Sequence, residues 1–374
     1  MSLTLPKRPL GKTGLDVSLL GLGGFHQVEV TQDTIEAVVD RYLTAGGNYV
    51  ETATGYGRGA SETKLGRALA GRRDQIILAT KAQGRTRDAA WQELNESLER
   101  LQTDHLDVWF FHNIGNDEHL EATAAPDGAL AAFKQAKAEG LVRHIGVSSH
   151  WPMMYVKAAE RLPIDVALIW GNYLDFCNFP EIPNTVLPAL REKGVGVLFM
   201  KPLADGFLYR SPRMAFRYAM AQDADGLVSG FNSVEMLEED LAACCAPTPV
   251  SDEEIVDVLR NAPELGTYVC RQCRNCTVLN NGSALKRIFE LEGKVDRQMD
   301  SRRPVNAAEY ALRERLKGWF GTKARAQDAY ETTTPSAEQL LEFELAPCRY
   351  GIDIPRKLRL AHSKLARSGR IELL

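Results

Sequence analysis

Residues 48–69 read NYVETATGYGRGASETKLGRAL. This stretch opens as a short apolar run, breaks at Thr54-Gly55, sets Tyr56 in a glycine-flanked loop, and resumes with helical spacing after Ser61, a residue suited to an N-cap. The order is strand, loop, helix. A loop leaving the C-terminal end of a strand is where parallel α/β folds collect their chemistry. Tyr56 in that loop, close in sequence to Glu51, is therefore an acid–base candidate.

Outward from this unit the same alternation repeats. Short β-branched runs predict strands over Val17–Leu22, Asn48–Glu51, Ile76–Lys81, Leu106–His112, Val142–Ser148, Val166–Ile169, Gly196–Met200 and Gly226–Ser229. Amphipathic segments between them predict helices over Asp33–Ala45, Ala90–Leu101, Leu130–Glu139, Met153–Arg161, Asn184–Lys193, Met214–Ala221 and Val234–Ala243. Eight strands alternating with helices within about 230 residues fit an α/β fold of the closed (β/α)8 TIM barrel type better than an open sheet. The first 16 residues predict a hairpin or arm, with Gly11 and Gly14 as turn residues.

With 374 residues, 44% hydrophobic and 25% charged, the chain can bury one barrel of about 250 residues plus an accessory region. A net charge of −4 without a long basic run gives no footprint for nucleic acid. The N-terminal sequence lacks an apolar segment long enough for a signal peptide or a membrane span, so no membrane association and a cytoplasmic location are expected. A protein partner or a homo-oligomer stays open.

Two predicted strands end in polar residues. Ile76–Thr80 runs into Lys81 and Asp107–Phe111 into His112, so both side chains should face the barrel mouth that holds Tyr56. Reduction of a carbonyl by hydride needs a proton donor at the developing alkoxide, and a phenol of pKa about 10 needs a cation or hydrogen bond to tune it. Lys81 is placed to supply the cation and His112 to orient the carbonyl. A lone strand-end lysine or histidine is more often a surface or capping residue; it is the convergence of three that points to catalysis.

From PLGKTGLDVSLLGLGG at residue 9 through ILATKA, LDVWFFH, GLVRHIGVSSH and VGVLFMKPLADG to VSGFNSVEMLEEDLAA, the chain resembles the aldo-keto reductase superfamily. The resemblance implies a nicotinamide-dependent oxidoreductase that moves hydride to or from a small carbonyl or alcohol. It also implies a catalytic tetrad of Tyr, Lys, His and Asp. Tyr56, Lys81 and His112 match three members, and Glu51 stands where the Asp is expected. That departure admits an alternative, a barrel that has turned to redox-neutral lyase or epimerase chemistry with retained NAD, or to a binding role.

For the cofactor, the resemblance implies Ser148 and Ser149 at the nicotinamide carboxamide, with Leu168 in place of the usual Gln and Met200 in place of a stacking Tyr. Lys201 and Leu203 follow in the same segment. The loop through Gly230, Asn232 and Ser233 opens a helix and suits a phosphate at its N-terminal amides. Gly230 and Met236 replace the cations that commonly grip the 2′-phosphate of NADP, and Glu239-Asp240 resembles the family's Glu-Asn pair at the adenine. NAD(H) is thereby favoured over NADP(H).

Beyond Pro247 the character changes. Ser251–Arg260 predicts a last barrel-capping helix, and Cys270, Cys273 and Cys276 follow at two-residue gaps, a spacing that suggests metal rather than disulfides. It matches the first part of the ferredoxin run C-x2-C-x2-C-x3-C-P, but neither Leu279 nor Asn280 is cysteine. Cys348 is the suitable fourth thiolate; zinc is the rival of iron–sulfur. A branch of the aldo-keto reductases carries a ferredoxin-like C-terminal extension, and CRYGIDIP at residues 348–355 is similar to its closing element. The expectation is one [4Fe-4S] cluster on Cys270, Cys273, Cys276 and Cys348. Residues 1–262 then form the barrel and 263–374 a mainly helical extension, with an insertion at 277–347 containing helices over Ala284–Glu292 and Ala307–Trp319.

Overall fold

The structure is a computed structural model and describes residues 3–245, 249–274, 276, 282–296, 298, 323–343 and 345–367. It divides into two compact units. One comprises Met1–Gly171, Pro183–Leu203 and Phe216–Val250; the other comprises Asn172–Ile182, Ala204–Ala215 and Ser251–Leu374. The division follows packing, so residues 251–262 and two loop segments group with the C-terminal part of the chain.

The first unit begins with a hairpin, β1 (Lys7–Pro9) against β2 (Asp16–Ser18), antiparallel with Lys7 opposite Ser18. Gly11 and Gly14 turn it at φ of +51° and +76°, a region glycine enters without a Cβ clash. The single strand predicted over Val17–Leu22 is thus divided. Its first residues pair with the hairpin, while β3 (Leu20–Gly23) enters the barrel.

The remaining strands are β4 (Tyr49–Glu51), β5 (Ile77–Ala82), β6 (Leu106–Phe111), β7 (Val142–Ser148), β8 (Val166–Trp170), β9 (Gly196–Met200) and β10 (Gly226–Ser229). They pair in sequence order, all parallel, and β10 returns to β3 to close the ring. Both strand faces are covered, which explains the near-continuous apolar runs. The two-residue side-chain period sends Tyr49, Ala79, Val108, Phe110, Val166, Leu168, Leu198 and Val228 into one buried cluster. Leu10 and Val17 of the hairpin belong to the same cluster and close its floor. One period further along the strands the polar side chains begin.

Helices α1 (Gln32–Thr44) and α3 (Arg87–Leu101) start at Thr31 and Thr86, whose hydroxyls accept N–H bonds from Thr34 and Ala89. α2 (Ala60–Ala68) starts differently from expectation. Gly59, at φ +86°, holds the cap position, and Ser61 lies inside the first turn. Its buried hydroxyl donates to the Gly24 carbonyl at 2.7 Å and bonds Thr52 at 2.8 Å, tying the Tyr56 loop to two strand ends. α4 (Asp117–Ala124) and α7 (Tyr173–Asn178) are unpredicted short helices, begun by Asn116 and Asn172 caps. α5 (Ala129–Ala138), α6 (Pro152–Arg161), α8 (Leu187–Glu192), α9 (Pro212–Met220) and α10 (Val234–Cys244) fall near their predicted places; α8 is shortened because 182–186 forms a π-turn around Pro183.

In the second unit, α11 (Asp252–Asn261) and α12 (Gly282–Asp296) fall near predicted helices; α13 (Lys323–Glu331), α14 (Ala337–Leu341) and α15 (Ile354–Leu365) follow, of which α13 and α15 are unpredicted. Leu285, Ile288, Phe289, Leu340, Leu358 and Leu365 make their core. Buried Glu292 accepts from Lys357 Nζ at 2.9 Å, from Lys364 Nζ at 2.8 Å and from the Tyr268 hydroxyl. The helix predicted over Ala307–Trp319 lies outside the described residues. No described helix is long and apolar enough to cross a membrane.

Candidate active site

Strand ends bring Glu51, Lys81 and His112 together with Tyr56 at the C-terminal mouth of the barrel. Register does this: Glu51 lies opposite Ala79, and Lys81 opposite Phe110, two residues before His112. The Lys81 ammonium is almost fully buried and directs its three donors to the Glu51 carboxylate, the Thr52 carbonyl at 2.8 Å and the Tyr56 hydroxyl oxygen at 2.9 Å. The Tyr56 ring packs edge-on against His112 at 5.8 Å and against Phe25 at 5.1 Å. Tyr56 accepts from Lys81, and its own proton has no acceptor among the described residues.

The electrostatics follow from burial. Burial pulls Lys81 down, but Glu51 and Tyr56 outweigh it and hold the ammonium charged. Burial pushes Tyr56 above its ordinary value; Lys81 opposes this and Glu51 adds to it, so the phenol keeps its proton at neutral pH. Burial also drives His112 well below 6.5, helped by Lys81, His150 and Arg85, so its imidazole is neutral.

Beneath Tyr56 a second network holds the loop. Arg100 donates to Glu62 at 2.8 Å and to Thr54 at 2.9 Å, and Glu62 accepts from Thr80 at 2.6 Å. Thr54 and Thr80 precede Tyr56 and Lys81, so one buried carboxylate sets both approaches.

Of the expected carboxamide pair, Ser149 donates its hydroxyl proton to the Ile114 carbonyl at 2.7 Å. Among the described residues Ser148 only accepts, from the Asn113 N–H at 3.1 Å, and retains a donor. Leu168 is one layer too deep, inside the apolar cluster. The β8 residue at the mouth is Trp170, with the His150 ring 5.6 Å away, stacked, and Lys201 Nζ 5.9 Å from its ring. The two-residue period from Val166 carries this signal. Met200 is half-buried two residues beyond core Leu198, Lys201 adopts φ +57°, and Leu203 is half-buried.

Around the loop after β10, Gly230 is exposed and a Cβ there would stand 2.4 Å from His26 Cδ2. Gln27 fastens this loop by donating to the Phe231 carbonyl at 2.8 Å. Asn232 and Ser233 are half-buried, and the Ser233 hydroxyl caps α10 by accepting from Met236 N–H at 3.2 Å. An exposed loop without a Cβ at 230, leading into helix amides, fits a cofactor phosphate. The helix is less acidic than its sequence: Glu238 pairs with Arg41. Glu239 is exposed, while Asp240 turns inward, where burial pushes it up to about 7 against the opposing Ser229 hydrogen bond.

All four expected cluster ligands lie in the second unit. Cys270 is buried in the core cluster, against which Cys276 and Cys348 pack. Burial pushes Cys270 up to about 12, with Cys273 and Cys276 acting on it, while Cys273 and Cys348 act on Cys276. Among the described residues no three His, Cys, Asp or Glu side chains converge as a metal site. Buried Cys177 also feels Cys270 and Cys273, together with the Arg271 guanidinium. The four thiols are soft donors of the kind an iron–sulfur group takes, but in this structure they are not gathered into a ligand set.

The model of the aldo/keto reductase family matches residues 19–213, more than half the chain, and the chain belongs to that family. It is an NAD(P)H-dependent oxidoreductase of the aldo-keto reductase type. Among relatives, the oxidoreductase YqkF of Bacillus subtilis is 32% identical over 221 residues, covering 55% of this chain and 67% of its own. L-galactose dehydrogenase of Arabidopsis thaliana is 29% identical over 289 residues, covering 63% and 87%. Among solved structures, the holo form of aldo-keto reductase AKR11C1 from Bacillus halodurans superposes with a TM-score of 0.60 at 28% identity, covering 69% of this chain and 96% of that one. An aldo-keto reductase from Klebsiella pneumoniae in complex with NADPH reaches the same TM-score at 21% identity, covering 70% and 96%, and shares the fold.

Proposed function

We propose that this barrel interconverts a small carbonyl and its alcohol with Tyr56 as general acid and base. One observation carries the reading: Lys81 donates to the Tyr56 oxygen at 2.9 Å while the phenol proton has no acceptor among the described residues. The bound nicotinamide supplies or accepts the hydride. Tyr56 gives its proton to the carbonyl oxygen as charge develops there, and the buried Lys81 ammonium stabilises the phenolate left behind. Glu51 keeps Lys81 charged, so the longer acid does the work of the expected Asp. Neutral His112 orients the carbonyl by hydrogen bonding, without adding charge. Ser148 and Ser149 with Met200, Lys201 and Leu203 hold the nicotinamide end, and Gly230, Asn232, Ser233, Glu239 and Asp240 the phosphate and adenine end.

Tyr56→Phe should lower kcat by about 10³-fold and leave cofactor affinity nearly unchanged, because the phenol acts on the proton in the transition state. An active Phe variant overturns the assignment. Since neither Gly230 nor Met236 offers a cation, NAD(H) is expected to bind at least as tightly as NADP(H), measured by fluorescence titration of both; a clear NADPH preference means that another cation reaches the 2′-phosphate.

We also propose that Cys270, Cys273, Cys276 and Cys348 hold one [4Fe-4S] cluster. Their common unit and mutual electrostatic influence support this. Anaerobic purification followed by iron and sulfide analysis tests it. The expected result is about four irons and four sulfides per chain, lost in Cys348→Ala and kept in Cys177→Ala; zinc without sulfide, or a cluster lost only in Cys177→Ala, overturns the ligand set.

A further inference from the structure

Arg85 stands four residues beyond Lys81, in the loop that leaves β5. Its Nη2 donates to the His112 carbonyl at 2.6 Å and to the Asn113 carbonyl at 2.9 Å, so the guanidinium is fixed against the main chain of the site. Its Nη1 is buried and has no hydrogen-bond partner among the described residues. The neighbouring acid does not complete it: Glu93 accepts instead from the Gln83 and Gly84 N–H groups at 2.7 and 3.1 Å. A partly buried guanidinium that lacks an acceptor on one terminal nitrogen and a carboxylate partner costs free energy, and an anion is the group that offsets it.

The ring decides which anion. Arg85 and His112 follow β5 and β6, whereas the loop suited to a cofactor phosphate follows β10. β4 and β3 separate them one way and β7, β8 and β9 the other, so they lie on opposite arcs of the mouth. An anion at Arg85 is therefore on the substrate. The other fixed charge at the site, Glu51, is already matched by Lys81.

We infer that the substrate carries an acid group, a carboxylate or a phosphate, received by Arg85 Nη1 while its carbonyl sits between Tyr56 and His112. The substrate class is then an oxo acid or an aldehyde phosphate with its reduced counterpart. This rests on the reductase reading above and sets the chain apart from a dehydrogenase of neutral sugars.

The test uses the full chain, with NADH and NADPH, on matched pairs: 4-oxobutanoate against its methyl ester, and glyceraldehyde 3-phosphate against glyceraldehyde. One acid in one of the pairs should be preferred by at least about tenfold in kcat/KM, which also tells carboxylate from phosphate. In Arg85→Gln that ratio should fall towards unity, and Arg85→Lys should restore part of it. The ratio is the readout because Arg85 also holds the His112 carbonyl. Parity of both pairs in the wild type, an unchanged ratio in Arg85→Gln, or oxidation of L-galactose as efficient as any conversion of an acid overturns the inference. Thermal protection by glutarate or inorganic phosphate is measured in parallel. Protection lost in Arg85→Gln, with no carbonyl turned over, sustains the anion site and sinks the reductase reading. Turnover of acids and neutral analogues alike, without protection, does the reverse.

Discussion

The molecule buries the same three side-chain types twice. In the barrel, Lys81 meets Glu51 and Tyr56; in the C-terminal unit, Lys357 meets Glu292 near Tyr268. The difference lies in who receives the phenol proton. Tyr268 donates to Glu292 and accepts from Lys364 at 3.1 Å, so its hydroxyl is fully engaged. Tyr56 only accepts. Burial pushes Glu51 up more than Lys81 pulls it down, whereas for Glu292 the ammonium groups of Lys357 and Lys364 outweigh burial and hold it low. One added cation and one donated proton turn a potential acid–base trio into a structural clamp.

Phenylalanine at the two tyrosines should break this symmetry most plainly. Against the roughly 10³-fold loss in kcat at Tyr56, Tyr268→Phe should leave turnover intact and lower stability by only about 1 kcal/mol, the usual worth of one hydrogen bond. Equal effects on turnover would mean the comparison is mistaken. Next in size is Lys357→Met, which leaves Glu292 buried with Lys364 alone and should lower the unfolding free energy by about 3 kcal/mol in urea titrations. Adding Glu292→Gln to it should recover part of that loss, since the cost is an unpaired charge.

Asp240 extends the comparison to a buried acid with no cation bonded to it among the described residues. Its carboxyl is pushed from 3.8 up to about 7 by burial, so the folded state binds the proton more tightly than the unfolded chain. The resulting cost is absent below about pH 4, grows as pH rises, and is complete above about pH 7. Asp240→Asn should therefore stabilise the protein more at pH 8 than at pH 5, by on the order of 2 kcal/mol, as read from melting curves at the two values. A gain independent of pH would show that Asp240 is ionised throughout.

Much of the barrel was legible because its cause is local. Apolar runs of strand length alternate with amphipathic ones, and the ends of seven strands were placed within a residue or two. The convergence of Glu51, Lys81 and His112 with Tyr56 was legible for the same reason: a polar residue closing an apolar run, as at Lys81 and His112, marks where the strand leaves the core. What escaped depends on distant pairing. Ser61 has the chemistry of a cap but is claimed by Gly24 and Thr52 across the loop, leaving Gly59 to start the helix. Leu168 aligned by motif, yet only the barrel register shows that it lies in the core and that Trp170 reaches the mouth. The bonds of Arg85 to the His112 and Asn113 carbonyls had no local signature, because they are made to partners far along the chain.

The hairpin that closes the barrel floor has a consequence for traffic. Leu10 and Val17 seal the N-terminal end, and Gly11 approaches the start of β9 so closely that a Cβ would stand 2.4 Å from Gly196 N. Among the described residues the floor is thus shut, which leaves the C-terminal mouth, where the polar side chains gather, as the end through which reactants pass.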